Sequence, residues 1–159
     1  MLFMLMLGVQ DGACILIGNC VGANNIPLAK RFYYFIAKIA IGVIFTMMLT
    51  VCLLRKQIVS LYTSDQEVID MVTPIFILIS INYLFQGGQC YQQGPIRAMG
   101  LQINAAFYTI IAYWVVGIPL SVLLSFWFDF GCFGIYTGGA VADCLQCSSY
   151  FYILMRLNW

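Results

Sequence analysis

The sequence predicts an all-α, polytopic transmembrane bundle with about five membrane helices. Three observations predict it. Of 159 residues, 63% are hydrophobic and 8% are charged, against about 25% charged in a soluble domain, too few to give a fold of this size a polar skin. Mean hydropathy is +0.94. The few charges are clustered, so that Met71–Ile96 and Ala98–Phe128 contain none at all.

A helix needs about 20 mostly apolar residues to cross the hydrocarbon core. The opening stretch, about 2–22, carries one charge, Asp11, and is the weakest span. The second, about 32–54, carries only Lys38, close enough to its start to snorkel to the interface. The third and fourth, about 70–94 and 103–128, are charge-free from Met71 and throughout, respectively. The fifth, about 135–155, carries Asp143. Between the first two lies Gly22-Ala23-Asn24-Asn25-Ile26-Pro27, a turn cluster in which Pro27 suits a helix start. Arg55–Asp70 is the most polar segment, with Ser64 and Glu67 spaced as a capping box. Gly94-Pro95 and Ala98-Met99-Gly100 are expected to end the third span, and Asp129-Phe130-Gly131 to turn the chain into the fifth. Residues 1–159 read as one domain.

Basic residues orient a membrane protein. Lys30, Arg31, Lys38, Arg97 and Arg156 fall on one side, and only Arg55 and Lys56 on the other, together with Asp65, Glu67, Asp70 and Asp129. The C-terminus is therefore expected in the cytoplasm and the N-terminus outside. Met1–Gly12 has no basic segment of the signal-peptide kind, so the chain is expected to be the tail of a longer one.

Composition removes several chemistries. There is no histidine, hence no Ser-His-Asp or Cys-His nucleophile and no imidazole metal ligand. A net charge of +1 gives no electrostatic footprint for nucleic acid. Seven scattered cysteines, including Cys144 and Cys147 in one CxxC, lie mostly in apolar stretches and read as packing residues. No catalytic residue, cofactor or metal site is expected, and the chain does not read as an enzyme.

The loops carry a resemblance. Gly18-Asn19-Cys20-Val21-Gly22-Ala23-Asn24-Asn25 followed by Ala29-Lys30 resembles a signature of the multidrug and toxin extrusion (MATE) transporters of eukaryotic type. So do Tyr62-Thr63-Ser64-Asp65 with Val68-Ile69 and Pro74; Gly94, Arg97, Gly100 and Gln102; Tyr113, Gly117, Ile118 and Pro119; Gly131, Gly134, Gly138 and Gln146; and the ending Arg156-Leu157-Asn158-Trp159. The motifs keep family order and spacing from about residue 8 to the end. The resemblance implies the last five helices of a twelve-helix fold whose two lobes rock about a central cleft, with organic cations or xenobiotics exported in exchange for protons, ahead of sodium ions. It implies a multi-pass protein of the plasma membrane or of a vacuolar or other organelle membrane, and a requirement for an N-terminal lobe and a seventh helix that lie outside these residues. Four departures stand out: Gln86 where the family usually has an acid, Leu16 where an arginine often precedes the first motif, Ala98 in place of glycine, and Pro95 in place of an apolar residue.

Candidate pathway residues follow from polarity at membrane depth. Asp143, near the middle of the last span, would cost about 2.5–3.5 kcal/mol to insert, so it either faces a cavity as a proton carrier or is satisfied by polar neighbours. Asp11 either faces the cleft or belongs to a frayed helix. Gln86, Gln89 and Gln93 share one helical face, which lines a cleft or bonds to a neighbouring helix. Tyr113 is the aromatic residue best placed for a cation–π contact. Arg97 is a candidate gate or helix-end residue, with charge orientation as the plainer role. Gly87-Gly88 and Gly138-Gly139 are expected to permit close helix contact, and Gly117 with Pro119 to make a bend. The competing reading of the whole chain is a truncated, non-transporting membrane protein with a structural or partner-binding role.

Overall fold

The structure is a computed structural model and describes residues 2–62 and 65–156. Among the described residues there are helices and turns and no strands. Helix α1 (Leu2–Gly22) leads through a tight turn into the long α2 (Ile26–Ser60), followed by a short α3 (Gln66–Val72) and by α4 (Ile75–Ala98). The next passage is one continuous helical rod built of α5 (Gln102–Ile110), a π-helical segment (Ile111–Gly117), α6 (Ile118–Val122) and a second π-helical segment (Leu123–Trp127); α7 (Gly131–Met155) closes the chain.

The two turns at the basic end are built alike. Asn24 takes a φ of 54°, while Asn24 N–H and Asn25 N–H reach back to the Val21 and Cys20 carbonyls. Gly100 takes a φ of 72°, and Gly100 N–H and Leu101 N–H reach the Arg97 and Ile96 carbonyls. Both are Schellman endings, using the two residue types that tolerate the left-handed region best. Asn25 then caps α2, its side-chain oxygen accepting from Leu28 N–H at 3.2 Å, with Pro27 in the first turn.

Prolines explain where helices depart from the expected spans. The span anticipated at about 70–94 is two helices, parted at Thr73-Pro74, because Pro74 has no N–H and its ring crowds the carbonyl four residues back. Conversely α4 runs through Gly94-Pro95 to Ala98; Pro95 is fully buried there, and packing outweighs the one lost hydrogen bond. At Gly117 and Pro119, where a bend is expected, the helix continues through π-helical turns on either side of α6, with Ile118 N–H reaching back five residues to the Tyr113 carbonyl. At 35 residues, α2 is about 52 Å long, well beyond the ~30 Å hydrocarbon core. The capping box expected at Ser64 lies outside the described residues; Asp65 caps α3 instead, accepting from Glu67 N–H at 3.0 Å.

Of the five expected spans, three helices suit a membrane crossing by length and composition alone: Met4–Gly22, Ile26–Ser60 and the Gln102–Trp127 rod. The other two, α4 and α7, are long enough, at 24 and 25 residues. They fall short in apolarity because they carry the glutamines and Asp143, and α4 and α7 are the helices that pack at the centre. Helix α4 lies against α1, α2 and α7, while the rod packs mainly on α7. Among the described residues, α1 packs against neither α7 nor the rod. A wedge therefore opens in front of α4, between α1 on one side and the rod on the other.

Candidate functional site

The wedge holds a cavity of about 480 Å³. Its floor is one face of α4, with Gln86, Gln89, Cys90, Gln93 and Arg97. The helix repeat brings these five to a common face, as expected for three of them. Leu7, Gln10 and Asp11 of α1 form one wall, and Thr109, Tyr113 and Gln146 the other. Six of the seven sequence-derived candidates (Asp11, Gln86, Gln89, Gln93, Arg97 and Tyr113) thus meet at one cavity. The seventh, Asp143, stands just behind it.

Asp143 occupies the midpoint of α7 and is 6% exposed. It is held by two donors that converge on Oδ1: the Gln89 amide at 3.0 Å and the Tyr113 hydroxyl. Gln89 Nε2 also lies 3.2 Å from the Tyr113 oxygen, so three side chains from α4, the first π-helical segment and α7 close a triangle. The rod can approach α7 this closely because glycines line the contact. A Cβ on Gly117 would stand 2.8 Å from the Ala142 Cβ, and one on Gly138 2.6 Å from the Ser121 nitrogen.

One turn along α7 lies a second polar cluster that sequence reasoning missed. Gln146 Nε2 donates to Thr109 Oγ1 at 2.8 Å and to the Tyr150 hydroxyl at 2.7 Å, and those two oxygens are 2.9 Å apart. The signal is present in the sequence: Gln146 and Tyr150 follow Asp143 on one helical face, and Thr109 precedes Tyr113 by four residues. Gln10 was missed too. It is 2% exposed and accepts from the Cys90 thiol at 3.1 Å. Gln92, although polar, faces α7 and donates to Cys147 Sγ at 3.9 Å, so it leaves the cavity to its neighbours. The CxxC pair is two free thiols.

Arg97 occupies a junction. It lines the 480 Å³ cavity and also a second one of about 380 Å³. Gln93, Thr109 and Gln146 line both as well, and the second cavity continues toward Gln102 and Tyr150 at the basic end of the bundle. Chemically the arrangement offers one exposed carboxylate, a bank of amides and a buried acid reached through a hydroxyl. That equips it to hold a polar or cationic ligand and to move a proton.

The MatE family profile matches residues 1–123. The chain belongs to the MatE family. Multidrug and toxin extrusion protein 1 of Mus musculus is 29% identical over 163 residues, covering 99% of this chain and 28% of that protein. Multidrug and toxin extrusion protein 2 of Homo sapiens is 26% identical, covering 99% and 26%. An uncharacterized transporter of Schizosaccharomyces pombe is 30% identical, covering 98% and 29%. Among solved structures, the crystal structure of eukaryotic MATE transporter AtDTX14 superposes with a TM-score of 0.94 at 26% identity, over 99% of this chain and 35% of that one. The chain spans little more than a quarter of the length of these curated relatives. This MatE chain is therefore a membrane protein with the fold of the matching part of a MATE transporter, and its relatives are named for extrusion and transport, not for catalysis.

Proposed function

We propose that this MatE chain serves as the C-terminal portion of a secondary antiporter that exports organic cations in exchange for protons. The observation that carries the reading is Asp143, a buried acid at the midpoint of a central helix, bonded by Gln89 and Tyr113 behind the cavity. Gln86 cannot release a proton near neutral pH, so coupling within this lobe falls to an acid elsewhere. Asp143 is the buried acid placed for that role. Asp11 supplies a carboxylate on the cavity wall for the cation, Tyr113 an aromatic edge, and Arg97 a gate between the two connected cavities. An N-terminal lobe completes the cleft from the open side of the wedge. Arg156 faces the cytoplasm and Tyr62 the opposite side, by the excess of basic residues at the Arg97 end; a membrane-impermeant thiol reagent that reached Tyr62→Cys only from the cytoplasm would reverse this orientation.

The decisive experiment is Asp143→Asn in the longest natural chain carrying this segment. Asparagine keeps size and hydrogen bonding and removes the titratable proton. Cation uptake into acid-loaded vesicles is expected to vanish while protein level and membrane insertion hold. Uptake at the parental rate would return Asp143 to a structural role. A parental protein without uptake of its own would favour the non-transporting reading of the chain.

A further inference from the structure

Asp143 has no wall of the polar cavity to itself. The 480 Å³ cavity is lined by Gln89 and Tyr113, while Asp143, bonded to both, is not among its lining residues. Its link to that space runs through these two side chains. An amide cannot pass a proton readily at neutral pH, whereas a hydroxyl can accept one and give up another. Tyr113 is half-buried, with its oxygen on Asp143 Oδ1 and its ring on the cavity wall.

Tyr113 also lines a separate cavity of about 390 Å³ between the rod and α7, and it is the one residue the two linings share. That second space is walled mainly by apolar groups, Ile118, Val122, Phe126 and Ile135 among them, with Ser121 and Ser125 as its other polar side chains, and it holds no carboxylate or amide. Of the two spaces that Tyr113 touches, the one lined by Asp11 and the glutamines is the better suited to hold a hydronium ion beside it. The π-helical segment fixes this placement. Tyr113 lies within Ile111–Gly117, where the backbone widens to bonds spanning five residues before α6, and such bulges re-aim side chains at functional sites.

The geometry points to the Tyr113 hydroxyl as the proton relay between the polar cavity and Asp143, an inference that rests on Asp143 being the proton carrier. In the loading step a hydronium ion of the cavity gives a proton to the Tyr113 oxygen as the phenolic proton passes to Asp143 Oδ1. Water is left in the cavity, a neutral carboxyl on α7 and a neutral phenol between them; release is the reverse. Gln89 Nε2 donates to both oxygens and holds them in line, which makes it a positioning residue. The other titratable groups around Asp143 are Cys144, Cys147 and Tyr150 on its own helix, with Asp11, Cys90 and Arg97 bordering the cavity. The α6 and second π-helical segments bring none.

The test uses the full-length protein in vesicles loaded with a pH-sensitive dye, with proton uptake followed after an external acid jump. Tyr113→Phe is expected to slow uptake roughly tenfold or more, while Asp143→Asn abolishes it. Fluorinated tyrosine at position 113 keeps the ring and hydroxyl in place and makes the phenol more acidic; it should restore uptake above the Phe level with a pH profile displaced from wild type. Tyr113→Phe at the wild-type rate, or fluorotyrosine with an unmoved profile, would overturn the relay and leave Asp143 standing. Wild-type uptake from Asp143→Asn would overturn the underlying reading instead.

Discussion

The two flanks of α4 are built on different physics. On the α1–α2 side the contact is mainly apolar and close: Ala13, Ile17, Ala29, Ile36, Ala40 and Tyr91 form one buried cluster, crossed by two hydrogen bonds, Cys90 to Gln10 and Tyr91 to the Tyr33 carbonyl. Gly94 lets α1 come so near that a Cβ there would stand 2.5 Å from the Gln10 carbonyl oxygen and 2.8 Å from the Ala13 Cβ. On the α7 side α4 is joined by the hydrogen bonds of Gln89–Asp143–Tyr113, and α7 is joined to the rod by those of Gln146–Thr109–Tyr150, with an apolar cluster of Ile96, Ala105, Tyr150 and Leu154 sealing the basic end. In lipid the hydrophobic effect gives helices no reason to associate, so van der Waals packing and interhelical hydrogen bonds remain. This protein relies mainly on the first at α1 and α2 and adds the second at α7.

The polar flank is also incompletely satisfied. Gln146 Oε1 and Gln92 Oε1 are buried without a hydrogen-bond partner. Asn82 Oδ1 of α4 is unpartnered as well, and each unmet acceptor costs about 1–3 kcal/mol. A surface with such acceptors has less to lose on moving than one whose acceptors are all met.

That difference sets the expected order of mutational effects. Gly94→Leu drives a side chain into α1 backbone and should be the most damaging, about 3 kcal/mol or loss of the folded protein, seen as a collapse of the detergent melting temperature. A melting temperature close to wild type would show that the α1–α4 contact is not rigid. Gln146→Leu removes two hydrogen bonds together with the unpartnered oxygen, and Thr109 and Tyr150 keep each other. Its expected cost is only about 1 kcal/mol in the same assay. A loss as large as that of Gly94→Leu would erase the contrast between the flanks.

Much was legible in the sequence. Runs without charge fixed the helices, because a backbone in lipid must satisfy its own hydrogen bonds. Asn24, Asn25, Pro27 and Gly100 announced the turns through local backbone preference. The i, i+3, i+7 spacing put Gln86, Gln89 and Gln93 on one face. Local preference also misled: Pro95 reads as a helix end, yet it is buried inside α4, since burial among neighbouring helices outweighs one lost bond. What only the tertiary structure decided is which polar residues meet. Gln89 and Asp143 are 54 positions apart, and Tyr113 and Asp143 are 30 apart. No periodicity connects residues on different helices. Their meeting depends on how closely the rod approaches α7, set by Gly117 and Gly138, and on the turn of the π-helical segment that aims Tyr113 at Asp143, and both are properties of packed helices rather than of any stretch of chain.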